Sequence, residues 1–161
     1  MTRVFRHYGS PRFDPQKFKP VKNRLAWVKP KHGLWASELT DTEKGTTAWR
    51  TWCEGEEFHL ESFSVFFDFE LAEDARLCVI DTFNDFHELL LRYNSKNLPE
   101  WAKGEGGISN QYLDFEALSK DYEVLELTDK GQHETRFSSP GLYGWDCASI
   151  LVMNPEVLKP V

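Results

Sequence analysis

Cysteine is scarce in this chain, and its three copies, Cys53, Cys78 and Cys147, are odd in number and far apart. No CxxC pair and no Cys/His cluster with zinc spacing occurs, so no structural metal site is expected. Free, mostly buried thiols in a reducing cytosol are the expectation. Positive charge is also short: 19 Lys+Arg face 26 Asp+Glu, a net charge of −7. That balance argues against generic duplex-DNA binding, which needs a basic face to neutralise phosphates. Long apolar runs are missing as well. The stretch Phe63 to Leu71 is broken by Ser64, Asp68 and Glu70 and is too short to span a bilayer. The opening MTRVFRHYGSPRF lacks the apolar centre of a secretory signal. A soluble, cytoplasmic protein without membrane attachment is therefore expected. The Walker loop, GxGxxG, HExxH and GxSxG signatures are all absent.

What is present is a chain of 161 residues, the length of one domain, with 40% hydrophobic side chains to build a core. Aromatics reach 14%, so packing should be dominated by rings. Residues 2–10 read as a strand ending at Gly9, Ser10 and Pro11. Four prolines keep residues 11–31 from being one helix, leaving an ordered loop with room for one helical turn. That loop holds Arg12, Lys17, Lys19, Lys22, Arg24, Lys29 and Lys31 against one acid, Asp14. Its basic residues, interleaved with Phe13, Phe18 and Trp27, suit either the phosphates of a ligand or a nucleic acid, or a solvated loop pinned to the core by its rings.

Residues 32–38 read as a strand, and 46–57 as a helix capped by Thr46 or Thr47 and ended near Gly55. In residues 59–71, Phe63, Val65, Phe67 and Phe69 alternate with polar side chains, which predicts a strand. A further strand is expected at 75–81 after a turn at Glu73 and Asp74. Phe83, Phe86, Leu89, Leu90 and Tyr93 predict a helix over 82–94, capped by Thr82. Residues 95–111, with Pro99 and three glycines, read as a long loop. A short helix at 114–121, a strand at 122–128, a polar loop at 129–141 and a buried strand at 148–154 complete the order. Without regular βαβ alternation the class is α+β: one domain (residues 1–161) of mixed, mainly antiparallel sheets with a few short helices.

Chemistry-bearing residues are scattered. His87 and His133 read as solvated, and no histidine is near a thiol in sequence, so a cysteine nucleophile has no support. Two segments stand out, His7-Tyr8-Gly9-Ser10 and Gly33-Leu34-Trp35-Ala36-Ser37. Each sets a glycine beside an aromatic and a small hydroxyl in or next to a strand. Glycine lets backbone groups approach a planar amide, and a neighbouring ring offers a stacking face. The same residues also read as a strand, a glycine turn and rings that fill the core.

The two segments resemble the first motifs of the ADP-ribosyltransferase fold shared by diphtheria-type toxins, poly-ADP-ribose polymerases and rifampin ADP-ribosyltransferases. The run Tyr143-Gly144-Trp145-Asp146-Cys147-Ala148-Ser149-Ile150 resembles that family's late strand, which carries a catalytic Glu before an apolar run. The resemblance implies NAD as cofactor, bound by His7, Tyr8, Gly9, Ser10, Gly33, Trp35 and Ser37, and a protein or nucleic-acid target. Either His7 or Tyr8 takes the place of the family's ribose-contacting His, Gly9 would hold the carboxamide, and Trp35 would stack on nicotinamide. Ala148 stands where the Glu is expected, and Asp146, two residues earlier on the same strand face, is the acid that a register shift would present. His7, Trp35 and Asp146 are thus the implied catalytic set. The alternative is a non-catalytic acidic protein that binds a partner protein through an aromatic surface.

Overall fold

Alternating apolar side chains set the strands of this chain, and hydroxyl or carboxylate caps set its helices. A computed structural model describes residues 2–24, 28–58, 63–94, 112–138, 141–142 and 144–161. The strands are β1 (Phe5–Tyr8), β2 (Leu34–Asp41), β3 (Thr46–Thr47), β4 (Phe66–Leu71), β5 (Leu77–Ile80), β6 (Val124–Leu127), β7 (Ser149–Val152) and β8 (Leu158–Pro160). The helices are α1 (Ala48–Glu56), α2 (Phe83–Arg92), α3 (Phe115–Asp121) and α4 (Asp129–Thr135), with a 3-10 turn at Pro155–Val157. The strands form a mixed sheet in the order β5-β6-β7-β2-β1-β4-β8, with β3 paired to β2 off this path. The β5–β6 pair is parallel and the other pairs are antiparallel. The α+β class follows.

Each sheet face carries its own core. On one, Phe86, Leu89 and Leu90 of α2 and Phe115 and Leu118 of α3 pack with Leu125, Leu127, Leu151 and Trp145. On the other, Phe5, Leu34, Phe69, Val124, Ile150, Val152 and Val157 pack under Phe13 and Phe18. Those two rings pin the basic loop to the sheet. The loop holds one helical turn, with Lys17 and Phe18 N–H both donating to the Asp14 carbonyl. Asn23 ties its far end to α3, accepting from Phe115 N–H at 2.7 Å and donating to the cap Asp114 at 2.8 Å.

Thr82 caps α2 as expected, in a reciprocal box with Asp85. Thr47, rather than Thr46, caps α1. The strand expected from residue 59 begins at Phe66: Phe63 reaches the core from a short 3-10 turn and Val65 is exposed. Residues 59–62 and the loop expected at 95–111 lie outside the described residues, as do Trp27 and Tyr143.

One expectation is overturned. Residues 129–135, read as polar loop, form α4, because Thr128 caps it and its buried face is Gly131, Gln132 and Thr135. Small and polar residues carry no apolar period, so the pattern could not show this helix. Gly131 lets α4 lie against the end of β5: a Cβ there would meet the Ile80 carbonyl oxygen at 2.1 Å. Strand β8 also went unread, since its short run with Pro160 survives only as an edge strand against β4.

Gly131→Ala should therefore cost about 1–3 kcal/mol, the usual scale of overpacking. Gly55→Ala, in α1 with nothing within 4 Å of the new Cβ, should instead gain up to about 1 kcal/mol. Urea midpoints at constant m-value read both signs.

Candidate functional site

The site arises where two neighbouring strands separate. β2 pairs with β7 from Leu34–Val152 to Ala36–Ile150. Beyond Ala36, the far edge of β2 passes to β3, with Leu39 opposite Thr47. Strand β7 stays with β6 as far as Leu127–Ser149. A weak tie, Ser37 Oγ to the Ala148 carbonyl at 3.4 Å, marks the fork. Because β3 runs straight into α1, the helix is carried to this fork, and its tryptophans wall it.

A first cavity of about 290 Å³ opens there, lined by His7, Tyr8, Lys29, Trp35, Ala36, Ser37, Trp49, Trp145, Asp146, Cys147 and Ser149. The structure thus brings His7, Tyr8, Trp35, Ser37 and Asp146, from three distant segments, to one concavity. Ser10 and Gly33 instead line a smaller neighbouring cavity, to which His7 also contributes. Gly9 adopts φ 104° and donates its N–H to the Val65 carbonyl at 2.8 Å. Its amide is committed within the fold, so Gly9 has no N–H to offer a carboxamide. Gly33, at φ 73°, packs where a Cβ would come within 2.7 Å of Leu151. Its role is close packing in a left-handed turn.

The imidazole of His7 is half-buried against Phe67, ring centroids 5.2 Å apart. Its Nδ1–H donates to the Trp35 carbonyl at 2.6 Å, which fixes Nε2 as the acceptor of the neutral ring. Burial holds His7 below the usual imidazole range, and the bond to Trp35 only partly offsets this. Tyr8 differs. Its hydroxyl bonds Thr47 Oγ1 at 2.8 Å, the same atom that caps α1 by accepting from Arg50 N–H. Tyr8 therefore positions α1, while His7 keeps a ring nitrogen for a ligand.

Three indoles shape the rest. Trp145 meets Trp35 edge to face at 4.8 Å and donates its Nε1–H to the Val28 carbonyl. Trp49 enters from α1, stacked on Trp52 at 5.3 Å. The Lys29 ammonium lies 5.6 Å over the Trp35 ring and 3.6 Å from the Asp146 carboxylate. Lys29, Trp49 and Ser149 are not candidates from the sequence: Lys29 is one of seven basic loop residues, Trp49 belongs to no motif, and Ser149 lies in the late-strand run without a role of its own.

Burial pushes the Cys53 and Cys78 thiols up to about 11 and raises Cys147 as well. All three are protonated at neutral pH, so Cys147, though it lines the cavity, supplies no thiolate. Among the described residues, no group of three or more His, Cys, Asp or Glu side chains is placed to hold a metal ion. None of their helices is long and apolar enough to cross a membrane.

A second, larger cavity of about 750 Å³ shares Asp146, Cys147 and Ser149 with the first. It runs between β2 and α4, past Glu38, Trp52, Glu126 and Gln132. The chain matches no protein-family model, no curated protein and no solved structure.

His7 yields a pH prediction. A folded-state value below the unfolded one means that the unfolded chain binds more protons once pH drops below about 6.5. The stability due to neutral His7 is complete above that pH and declines as pH falls toward the folded value. His7→Gln should flatten this decline. Urea unfolding at pH 7.5 and 5.5, with the His7 ring titrated by NMR, checks both the slope and its source.

Proposed function

We propose that this chain is an ADP-ribosyltransferase-like NAD-binding protein, with the first cavity receiving the nicotinamide end. The observation that carries this reading is the convergence of His7, Trp35 and Asp146 on one cavity, lined by three indoles and a carboxylate. Indole faces and an anion suit a flat cation, which the oxidised nicotinamide ring is. Lys29 already places a cation over Trp35 and beside Asp146, so the ring would take over an interaction that the fold makes internally.

In this reading Trp35 stacks on the ring and Nε2 of His7 accepts from a ribose hydroxyl. NAD supplies an ADP-ribosyl group bonded to a good leaving group. Asp146 would stabilise positive charge developing as that bond loosens. The group would pass to a protein or nucleic-acid target. Gly9 takes no carboxamide-donating part, because its N–H is spent on Val65.

A second reading, a non-catalytic protein that binds a partner through aromatic surface, has one observation of its own. Phe58, 43% exposed, sits edge-on to the stacked Trp49 and Trp52 and extends the indole wall to the surface.

Calorimetry with NAD separates the two. Binding at millimolar NAD or tighter is expected, weakened at least tenfold by His7→Ala or Trp35→Ala. Lys29→Met should tighten it several-fold by removing the competing ammonium. Asp146→Asn should weaken binding several-fold, less than His7→Ala or Trp35→Ala, and abolish nicotinamide release, followed by chromatography. No heat and no thermal shift at millimolar NAD overturns the NAD reading and leaves the aromatic surface as the working face.

A further inference from the structure

The second cavity contains an acidic pair that the NAD reading does not use. Glu126, on the fully buried strand β6, is 7% exposed, and Glu38 of β2 faces it across the fork. A carboxylate this buried needs a cation and hydrogen-bond donors. Arg3, two residues before β1, meets the need with a planar fork. Its Nη1 donates to Glu126 Oε1 at 3.1 Å, and its Nη2 donates to Glu126 Oε2 and, at 2.8 Å, to Glu38 Oε2. Arg3 itself is reached by solvent, with its side chain 42% exposed.

The same cavity holds a second polar need, which is unmet. Gln132 of α4 lines the cavity at 6% exposure, and its Nε2 has no hydrogen-bond partner, alone in this among the buried side-chain polar atoms of the described residues. An unmet buried donor costs about 1–3 kcal/mol. The guanidinium of Arg3 carries no acceptor and cannot relieve it.

We propose that Glu38 and Glu126 form a guanidinium-binding site that Arg3 fills from within the same chain, and that its ligand is an arginine residue. The two-oxygen fork on Glu126 selects a guanidinium over an ammonium, which is a point charge without planar pairing. The waiting Gln132 amide selects a guanidinium that brings a carbonyl oxygen with it, as an arginine within a peptide does and a bare guanidine does not. Arg3 is then an internal occupant that an incoming arginine must displace. This goes beyond the NAD reading and does not depend on it.

The test uses the whole chain without NAD, at fixed ionic strength, with calorimetry and thermal shift as readouts. Three probes are used: Nα-acetylarginine amide, its lysine counterpart, and agmatine, which lacks the carbonyl. Arg3→Ala should bind the arginine amide at least tenfold more tightly than the unaltered chain does, and at least tenfold more tightly than it binds the lysine amide. Agmatine should bind more weakly than the arginine amide, and Gln132→Leu should erase that difference. Adding Glu126→Gln to Arg3→Ala should abolish binding. Should Arg3→Ala leave the buried Glu126 without a cation and unfold the chain, Arg3→Lys keeps a cation without the fork and should still favour the arginine amide. Equal affinity in the unaltered chain and the Arg3 variants, survival of binding without Glu126, or equal binding of arginine and lysine amides would each overturn the proposal.

Discussion

Backbone pairing between β2 and β7 stops at Ala36 and Ile150, and the rest of the site depends on that interruption. A strand edge left open in the middle of a sheet would strand its polar groups. Here β2 hands its edge to β3 while β7 keeps β6. The exchange carries α1 to the fork, since β3 and α1 are contiguous. Thr47 secures it: one hydroxyl caps the helix and bonds Tyr8 on β1. The indoles of Trp49 and Trp52 then face the gap as cavity walls, one on each cavity. Concavity here follows from how strands are paired rather than from a hole left in packing.

Electrostatics follow the same geometry. The chain is acidic overall, yet carboxylates in both cavities are answered by cations from its first thirty residues, Lys29 for Asp146 and Arg3 for Glu38 and Glu126. Exposed pairs of this kind contribute little, and that at Asp146, with both side chains about a third exposed, falls near this class. Glu126 differs because it is buried, and an uncompensated charge there would be strongly destabilising. Much of the basic stretch thus serves the chain itself: Lys29 faces a carboxylate, Asn23 caps a helix, and Phe13 and Phe18 anchor the loop.

Most of the fold was legible where side chains alternate or repeat. Phe86, Leu89 and Leu90 announced α2, and the apolar run Ile150 to Val152 announced β7, because burial against one face imposes a period on the sequence. Helix α4 escaped because its buried face is glycine, glutamine and threonine, which pack by close approach and hydrogen bonds. The first cavity was partly legible: Trp35 beside Gly33 and Asp146 beside Trp145 are unusual neighbours. Trp49 gave no signal, since a tryptophan on a short helix reads as core until pairing places that helix. Glu126 was hidden more deeply. A glutamate within an otherwise apolar strand marks a buried charge, but its partner, Arg3, lies 123 positions away, beyond the reach of local pattern.

The chemistry open to the first cavity is narrowed by what its side chains hold at neutral pH. Its cysteine is a thiol, and its histidine is a neutral ring with Nδ1 committed to a carbonyl. Nucleophilic attack by the protein is therefore poorly served, whereas a carboxylate such as Asp146 is suited to stabilising positive charge held or developed in the cavity. That carboxylate precedes β7 instead of lying on it, and its carbonyl receives a long bond from Arg136 at 3.4 Å. A glutamate at position 148 would project from the start of the strand. An aspartate two residues earlier has a shorter side chain, and its reach must come from the backbone leading into β7. The tie between Ser37 and the Ala148 carbonyl, together with the Trp145 bond to Val28, holds that backbone against the fork. The position of the Asp146 carboxylate in the first cavity is thus set by the backbone of residues 145–149, which these two bonds tie to β2 and to Val28.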